Sequence, residues 1–503
     1  MNAFRLISVD IQGHKILGSF HLDFSKSKIE VGGIPEDVFT SVIIGKNGIG
    51  KSRLLRLLAD IFVDLNARQE AGYQRDTKSN YRYKIKYEMY NHIFEAGNYN
   101  WTLQYQLASG DGMFVSFAVK DGALIPFDDL ELPAKIIAST MTVTDKFNSR
   151  SSYYYRYKGI RNENSPNSTG TKTVVRKTVD AIIECLGSKE NYRSELKLLL
   201  TNLGLKEELF VTYSIRYKDI FIKSDMSPAL LEEIFDHSDV YFPNRKTRLW
   251  GSKYFESIRR SRENLQVIAD FLRGLCGKFA ENRYFFLSYD VMDPASGFAT
   301  DGRAIKLLSQ MDILTYPSIH VHKGAEDYLF EDSSSGETQL LCQFICVLSE
   351  LSDYSLVFID EPENSCHPEW QMAYVNWMKT IFKKYSTSHI IIATHSHFIL
   401  TNLEPDDSMV VSIERKDGSL KGIDTVNPYG WLSDEILEDI MQMRNLQGKK
   451  YMEAEKRFND ALDNDDLVAA KSAYEELLTM LHPRNVLREV LKIQMVGLRH
   501  DKD

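Results

Sequence analysis

Short apolar runs and longer amphipathic segments alternate along this chain. Wholly apolar runs end at Ile44, Ile359 and Ala393, and such runs are typical of buried parallel strands. Helical patterns of apolar residues follow the first run, in LLRLLADIF, and precede the second, in LLCQFICVLSEL. Strands that alternate with helices in this way predict an α/β fold built on a parallel sheet.

The other segments predict four regions along the chain. FRLISVDIQGHKILGSFHLDF, YKIKYEMY and NWTLQYQL predict an antiparallel layer, and the alternation of residues 81–90 is typical of an edge strand. The long middle of the chain has no sustained heptads and mixes helix and strand patterns, which predicts a compact α+β arm. After Pro428 the pattern becomes helical, with Tyr451, Ala454 and Phe458 on one stripe. The predicted regions are a first lobe (1–148), an inserted arm (149–315), a second lobe (316–427) and a helical C-terminal region (428–503).

Composition narrows the class of protein. The 503 residues carry a formal net charge of −9, which argues against a positively coated surface but leaves room for a local nucleic-acid groove. The five cysteines fit neither a disulfide framework nor a zinc pattern. No apolar run approaches the ~18 residues that span a membrane. Because the N-terminus also lacks a basic leader with a cleavage site, we expect a cytoplasmic protein without a membrane partner.

The loop after the first apolar run carries the most specific chemistry. GKNGIGKS, residues 45–52, has the Gly-x4-Gly-Lys-Ser pattern of a phosphate-binding loop, and it lies between a predicted strand and a predicted helix. Its glycines let successive N–H groups converge on an anion at a helix N-terminus. Lys51 is expected to reach the β- and γ-phosphates, and Ser52 to bind Mg²⁺. The predicted nucleotide-binding residues are Lys46, Asn47, Gly48, Ile49, Gly50, Lys51, Ser52 and Arg53.

The other two apolar runs end in residues that suit nucleotide hydrolysis. SLVFIDEPE places Asp360 where it could bind Mg²⁺ and Glu361 where a carboxylate could polarise an attacking water. HIIIATHSHFIL delivers His395 at the end of another strand. Taken singly, an Asp-Glu strand end is common and a histidine there is more often structural than catalytic. Their order and spacing after the phosphate-binding loop make them a joint prediction.

In this order the motifs resemble those of the ATP-binding-cassette (ABC) ATPases of the SMC/RecF type, which have a two-lobed head. DSSSGETQ is similar to the family signature, although one glycine is replaced by serine and the leading leucine by Ser333. The resemblance implies ATP and Mg²⁺ as cofactors, a catalytic role for Glu361 and His395, and a metal-binding role for Asp360. It also implies a homodimer or higher homo-oligomer, in which the signature of one subunit caps the γ-phosphate held by another. The signature residues are Ser334, Ser335, Gly336 and Glu337.

Two features leave alternatives open. Without the flanking motifs, the Ser-rich segment would more often be a loop that caps a helix. The glutamine-containing loop of the family is not identifiable, because its expected place, residues 135–147, has no Gln.

Two basic, aromatic stretches suit nucleic acid. Residues 244–262 interleave Trp250, Tyr254 and Phe255 with cations, a mixture that can neutralise phosphates and stack bases. A solvated helix face explains this stretch equally well. Residues 146–161, rich in tyrosine and arginine, carry the same two interpretations. The nucleic-acid candidates are Arg245, Lys246, Arg248, Lys253, Arg259, Arg260 and Arg262.

The closing segments narrow the resemblance. DEPENSCHPEW, ATHSHFIL, GWLSDEIL and HPRNVLREVLKIQ are similar to the PtuA ATPases of Septu antiphage systems, including those that accompany retrons. No metal-binding nuclease domain of the OLD type is evident, since DNDD at 463–466 lies between helices and predicts a cap. The resemblance implies an HNH-type nuclease partner of the PtuB kind, whose cleavage of nucleic acid the ATPase cycle licenses. Two alternatives remain: a nucleotide-locked scaffold with little turnover that holds a toxin or nuclease, and a RecF-like DNA repair ATPase.

Overall fold

The computed structural model of the chain divides into two compact units, residues 1–431 and residues 432–503. The structure describes residues 2–25, 36–70, 81–98, 116–142, 144–161, 171–242, 253–279, 286–315, 317–324, 326–332, 334–423, 426–441, 443 and 448–500. No helix in these ranges is long and apolar enough to cross a membrane.

All described strands lie in the larger unit, and the helices belong to both units. The strands are β1 (Arg5–His14), β2 (Gly18–Asp23), β3 (Phe39–Ile44), β4 (Arg82–Met89), β5 (His92–Gly97), β6 (Phe117–Lys120), β7 (Ala123–Leu124), β8 (Ile136–Thr140), β9 (Tyr155–Gly159), β10 (Leu209–Ser214), β11 (Phe286–Asp290), β12 (Ser318–Lys323), β13 (Glu326–Leu329), β14 (Leu356–Asp360), β15 (His389–Thr394), β16 (Ser408–Lys416) and β17 (Ser419–Ile423). The helices are α1 (Lys51–Glu70), α2 (Thr171–Ser188), α3 (Tyr192–Asn202), α4 (Lys218–Phe221), α5 (Pro228–Asp236), α6 (Ser238–Tyr241), α7 (Lys253–Arg259), α8 (Arg262–Phe279), α9 (Phe298–Gln310), α10 (Ser335–Glu350), α11 (Pro368–Phe382), α12 (Ser433–Glu435), α13 (Lys449–Asp463), α14 (Leu467–Met480) and α15 (Leu487–His500).

A seven-stranded sheet of order β17-β16-β3-β15-β14-β8-β9 forms the centre of the larger unit. Its neighbouring strands are parallel except for β16 and β17. β3, β14 and β15 are buried along their whole length, as their apolar sequences require. The predicted α/β class is therefore confirmed. Because Ile44 lies opposite Thr394, and Asp360 opposite Ala393, the carboxyl ends of β3, β15 and β14 meet at one edge.

A six-stranded antiparallel sheet, of order β2-β1-β4-β5-β6-β7, packs with the central sheet and α1 around a shared apolar core. β4 lies between β1 and β5, so the prediction that residues 81–90 form an edge strand is wrong. Their alternation has another cause. Tyr83, Ile85 and Tyr87 are buried in the core, while Lys84 and Lys86 on the other face form ion pairs with a glutamate of β5.

A four-stranded antiparallel sheet, of order β11-β10-β12-β13, packs against α9, where the Tyr289 ring of β11 contacts that of Phe298. β12 and β13 belong to the sequence that we assigned to the second lobe, yet they extend the sheet of the arm. β9, which we assigned to the arm, instead joins the central sheet beside β8. The boundaries at 149 and 316 therefore fall inside sheets, because strand pairing joins residues far apart in the chain.

The smaller unit is helical. α13, α14 and α15 pack around an apolar cluster that includes Phe458, Leu477, Leu491 and Met495. The side chain of Asp466 accepts hydrogen bonds from the N–H groups of Val468 and Ala469 at the start of α14. This geometry confirms the cap predicted for DNDD.

Candidate functional site

The phosphate-binding loop connects β3 to α1. Gly48, with φ of 76°, has the left-handed backbone that glycine tolerates best, and the space around it is open. Ile49 is buried, so only its backbone can serve a ligand, whereas Lys46, Asn47 and Arg53 are exposed. The first four N–H groups of α1 lack partners within the helix. The loop and the helix together present donors to an anion at the edge of the central sheet.

Lys51 lies across this loop and is only 4% exposed. Its Nζ donates hydrogen bonds to the backbone oxygen of Gly45, at 2.7 Å, and to Nδ1 of His395, at 2.9 Å. Burial lowers the pKa of Lys51 to about 8, although the nearby Glu361 carboxylate opposes this shift. Both contacts are of the kind that phosphate oxygens can replace.

Asp360 and Ser52 meet where a divalent cation would be held. The Ser52 hydroxyl forms a hydrogen bond with the Asp360 carboxylate. Oδ1 of Asp360 is buried and has no hydrogen-bond partner within the described ranges. Burial raises the pKa of Asp360 to about 7, with a further contribution from the charge of Glu361 and an opposing one from the Ser52 hydrogen bond. A buried acidic oxygen without a donor, beside a hydroxyl, fits the oxygen ligands that Mg²⁺ requires.

His395 joins Lys51 to Glu361. A lysine ammonium can only donate, so Nδ1 of His395 accepts from it and Nε2 carries the ring proton. Nε2 lies 3.2 Å from Oε1 of Glu361 and donates to it, while Asn364 donates to Oε2 at 3.1 Å. The hydrogen bond from His395 is the main cause that lowers the pKa of Glu361. Glu361 is therefore held ionised by two side-chain donors.

The backbone of Glu361 is strained. Its φ is 49°, in the left-handed region that non-glycine residues rarely adopt, and its N–H donates to the backbone oxygen of Ala393 at 2.8 Å. Backbone strain of this kind persists where the surrounding structure enforces it, and it clusters at functional sites. At this backbone position the Glu361 side chain contacts His395.

The predicted signature lies at the start of α10. The Ser334 side chain accepts the N–H of Glu337, and the Glu337 side chain accepts the N–H of Ser334, which forms a capping box. A Cβ on Gly336 would lie 2.5 Å from the backbone oxygen of Ser365, so this position requires glycine. Ser335 is exposed at the helix N-terminus. The segment does cap a helix, and its contact with a nucleotide of another subunit stays a prediction.

The basic stretch lies only partly within the described residues. Arg245, Lys246 and Arg248 fall outside them, Lys253 begins α7, and Arg262 is exposed at the start of α8. Arg259 forms ion pairs with Asp236 and Glu256, and Arg260 forms one with Glu256. Phe255 is buried and packs edge-on against Phe235, with ring centroids 5.3 Å apart. Phe255 is thus a core residue that cannot stack on a base, and nucleic-acid binding by the arginines stays a prediction.

The tyrosines of residues 146–161 are mostly structural. Tyr155 and Tyr157 of β9 are buried, and the Tyr157 hydroxyl donates to Asp145 at 2.8 Å. Arg161 also binds Asp145, at 2.6 Å. The Asp145 charge in turn contributes to the raised pKa of Asp360, after the larger effects of burial and of Glu361. The segment that lacks the family glutamine therefore supplies a buried acid near the site.

A cavity of about 220 Å³ lies beside α1. Its lining combines aromatic, apolar and cationic side chains. The lining residues are His14, Ile16, Arg53, Arg56, Leu57, Asp60, Tyr81 and Lys146. Since Arg53 directly follows Ser52 in α1, the cavity begins next to the phosphate-binding loop.

Glu363 and Gln371 contact the loop that carries His395, and sequence reasoning missed both. Oε1 of Glu363 accepts the N–H of His395 at 2.6 Å. Oε1 of Gln371 accepts the hydroxyl of Ser396 at 2.5 Å. The signal that could have found them is the run of polar residues soon after the acidic strand, in DEPENSCHPEWQ. In the structure the side chains of Glu363 and Gln371 are both half-buried.

This chain is similar to a curated protein and to several solved structures. The curated protein "Septu protein PtuA" of Bacillus thuringiensis is 33% identical over 150 residues, which cover 29% of this chain and 37% of that protein. Among solved structures, the SMC head domain from Thermotoga maritima is 10% identical with a TM-score of 0.36, and covers 84% of this chain and 99% of that one. The Smc head domain from Pyrococcus furiosus, bound to the C-terminal domain of ScpA, is 12% identical with a TM-score of 0.31, and covers 84% of this chain and 96% of that one.

A protein-family model matches residues 147–401, just over half of the chain. Its description is "AAA domain, putative AbiEii toxin, Type IV TA system". The matched range contains the signature segment, Asp360, Glu361 and His395. With the phosphate-binding loop that precedes this range, the chain belongs to this family of AAA-domain P-loop ATPases.

Proposed function

We propose that the chain binds ATP with Mg²⁺ and hydrolyses it at the edge of the central sheet. One observation carries the proposal: Lys51, His395 and Glu361 form a continuous row of contacts across the ends of β3, β15 and β14. This row brings a phosphate-binding cation, a proton-carrying ring and an ionised carboxylate to one place.

Binding begins with an exchange of partners at Lys51. Phosphate oxygens replace the Gly45 carbonyl and His395 Nδ1 as acceptors for Nζ, and the N–H groups of the loop bind the same phosphates. Ser52 and Asp360 would hold Mg²⁺, which when bound neutralises charge on the β- and γ-phosphates. The nucleoside then extends past Arg53 of α1 towards the neighbouring cavity, whose lining includes the aromatic rings of His14 and Tyr81.

Glu361 then acts on the attacking water. An ionised carboxylate can accept a hydrogen bond from water and orient it towards the γ-phosphate. The Nε2 proton of His395 and the amide of Asn364 fix the two carboxylate oxygens, so that Glu361 faces the reaction without reorganisation.

The experiment is a Glu361→Gln variant, with the exposed Glu369→Gln as a matched control on the neighbouring helix. We expect ATP hydrolysis to fall ~10²- to 10⁴-fold while ATP binding is retained, because the amide cannot act as a base. Steady-state phosphate release and equilibrium nucleotide binding measure the two quantities. Wild-type turnover by Glu361→Gln, with Glu369→Gln also normal, would show that the acidic strand is misassigned.

At the level of the cell, we propose that this ATPase is a subunit of an antiphage defence complex that controls a partner nuclease acting on nucleic acid. The similarity to a Septu PtuA protein supports this, together with the ABC-type motifs, which imply a sandwich of two copies. The exposed apolar side chains of Val486, Val490 and Ile493 at α15 offer a surface for such a partner in the smaller unit.

A nucleotide-locked scaffold remains the second candidate. It would use the same contacts at Lys51 and Ser334 to hold an oligomer, but it would not need the strained, doubly hydrogen-bonded Glu361. The turnover rate therefore discriminates between the two functions.

A further inference from the structure

Two side chains outside the predicted catalytic set hold the loop that carries His395. Glu363 belongs to the loop after β14, and its Oε1 accepts the backbone N–H of His395 at 2.6 Å. Gln371 is the fourth residue of α11, and its Oε1 accepts a hydrogen bond from the hydroxyl of Ser396 at 2.5 Å. The His395 loop is thus fixed at two successive residues.

Gln371 also binds a second partner. Its Nε2 donates to the backbone oxygen of Cys366 at 2.8 Å, so one amide group bridges the loop after β14 and the loop after β15. The segment that contains Cys366 is also tightly packed. Gly336, at the start of α10, lies so close to this segment that a Cβ added to Gly336 would be 2.5 Å from the backbone oxygen of Ser365. The bridge therefore connects the His395 loop to a well-anchored segment.

The position of His395 must be accurate for its two contacts to form. Its ring spans Lys51 and Glu361 with distances of 2.9 Å and 3.2 Å, one from each nitrogen. Hydrogen bonds beyond about 3.5 Å are weak, so a shift of the ring by ~1 Å would break at least one of them. A backbone anchor at His395 and a side-chain anchor at Ser396 restrict such a shift.

We propose that Glu363 and Gln371 are positioning residues that hold His395 against Glu361 during ATP hydrolysis. The proposal rests on the proposed ATPase function and goes beyond it by assigning these two residues a role. Among the described residues, neither side chain forms a hydrogen bond with Lys51. Each side chain acts through the loop that carries His395. Misplacement of a catalytic group by ~1 Å can cost ~10²-fold in rate.

The test compares isosteric and conservative substitutions. Gln371→Met and Glu363→Met keep an unbranched side chain of similar length but cannot form the hydrogen bonds. We expect kcat to fall ~10- to 100-fold in both variants, while the dissociation constant for Mg·ADP changes less than about twofold. Glu363→Gln keeps an oxygen that can accept the His395 N–H, so we expect it to retain most of the wild-type kcat. Thr380→Val, an exposed position on the same α11, is the control and should behave as wild type.

Three outcomes would overturn the proposal. The first is a wild-type kcat in both methionine variants. The second is a loss in Glu363→Gln as large as in Glu363→Met, because Glu363 would then act through its charge and not as a hydrogen-bond acceptor. The third is that Gln371→Met lowers kcat by the same factor in a His395→Ala background, where a residue that acts through His395 should have no further effect.

Folding and the parent proposal are checked separately. If Gln371→Met lowers the thermal midpoint by more than a few degrees, Gln371→Asn replaces it, since it stays polar but is one methylene too short for the bridge. If the wild type hydrolyses ATP and both Gln371→Met and Glu363→Met keep the wild-type kcat, the positioning role alone is refuted. A wild type that binds nucleotide without turnover refutes the proposed hydrolysis and, with it, the positioning role.

Discussion

Glu350, at the C-terminal end of α10, is surrounded by three cations. Its carboxylate lies 3.0 Å from Nζ of Lys135, 3.2 Å from Nε of Arg156 and 3.0 Å from Nζ of Lys158, and its side chain is 9% exposed. The three cations belong to or directly precede β8 and β9. These ion pairs fasten the helix that begins with the signature to the edge of the central sheet, so their strength can be tested through stability.

The pKa of Glu350 gives the expected magnitude. Burial alone would raise it, but the ion pairs, foremost with Lys158, lower the pKa of Glu350 from 4.5 to about 2. A difference of about 2.5 units at 1.36 kcal/mol each corresponds to about 3 kcal/mol of unfolding free energy. Solvent screening reduces this value little, because the carboxylate is almost fully covered. We therefore expect Glu350→Gln to destabilise the larger unit by about 3 kcal/mol at pH 7, leaving three cations opposite a neutral amide.

The pH dependence has a definite sign. A carboxyl group with a depressed folded-state pKa stabilises fully above its unfolded pKa, and this stabilisation is lost as the pH falls through the folded value. The difference between wild type and Glu350→Gln should thus be constant from pH 7 to about pH 5.5, and shrink between about pH 4.5 and pH 2.

Urea denaturation followed by tryptophan fluorescence is the assay, since Trp370 and Trp377 report on α11 of the larger unit. Glu369→Gln, at an exposed position, should change the free energy of unfolding by less than ~0.5 kcal/mol. A loss below about 1 kcal/mol for Glu350→Gln at pH 7, or a difference that does not shrink at pH 3.5, would refute the reasoning.

Two further predictions concern assembly. The Lys51→Ala and Ser334→Arg variants should each be inactive alone. Mixing the two should partly restore ATP hydrolysis, because a sandwich of two copies then contains one intact site. No recovery after proven subunit exchange would count against the sandwich. Ile493→Glu, on the exposed face of α15, should abolish co-purification with the nuclease partner proposed above while leaving ATPase activity and thermal midpoint unchanged, since apolar anchors set the lifetime of a complex. Undiminished co-purification would place the partner elsewhere.

The position of the candidate site was largely predictable from the sequence because its parts are local. The strand, loop and helix around Lys51 are consecutive, from residue 39 to residue 70, and each has a pattern of its own. The ends of buried parallel strands meet at one edge of a sheet. Asp360 and His395, which lie at such strand ends, are therefore expected close to Lys51. The structure adds the order of the strands, with β15 between β3 and β14, which places His395 between Lys51 and Glu361.

What sequence reasoning missed depends on pairing between distant residues. The limits of the arm were misplaced because β12 pairs with β10, more than a hundred residues away, and no local pattern encodes that partner. For Tyr155, Tyr157 and Phe255 the sequence left base stacking open as one of two interpretations, because aromatic residues suit both a core and a base. Gln371 was missed because its two hydrogen-bond partners, the backbone oxygen of Cys366 and the side chain of Ser396, lie on other loops.

The charge of the site explains why a cation should accompany the nucleotide. Asp360, Glu361 and Glu363 are acidic, and Lys51 supplies one positive charge among them, so an anionic phosphate alone would meet a repulsive field. Burial, reinforced by these like charges, raises the pKa of both Asp360 and Glu363. A divalent cation held by Ser52 and Asp360 would relieve the same repulsion without neutralising Glu361. On this charge balance, the proposed phosphate binding would require the metal, and Glu361, whose carboxylate His395 keeps ionised, would stay available as the proposed base.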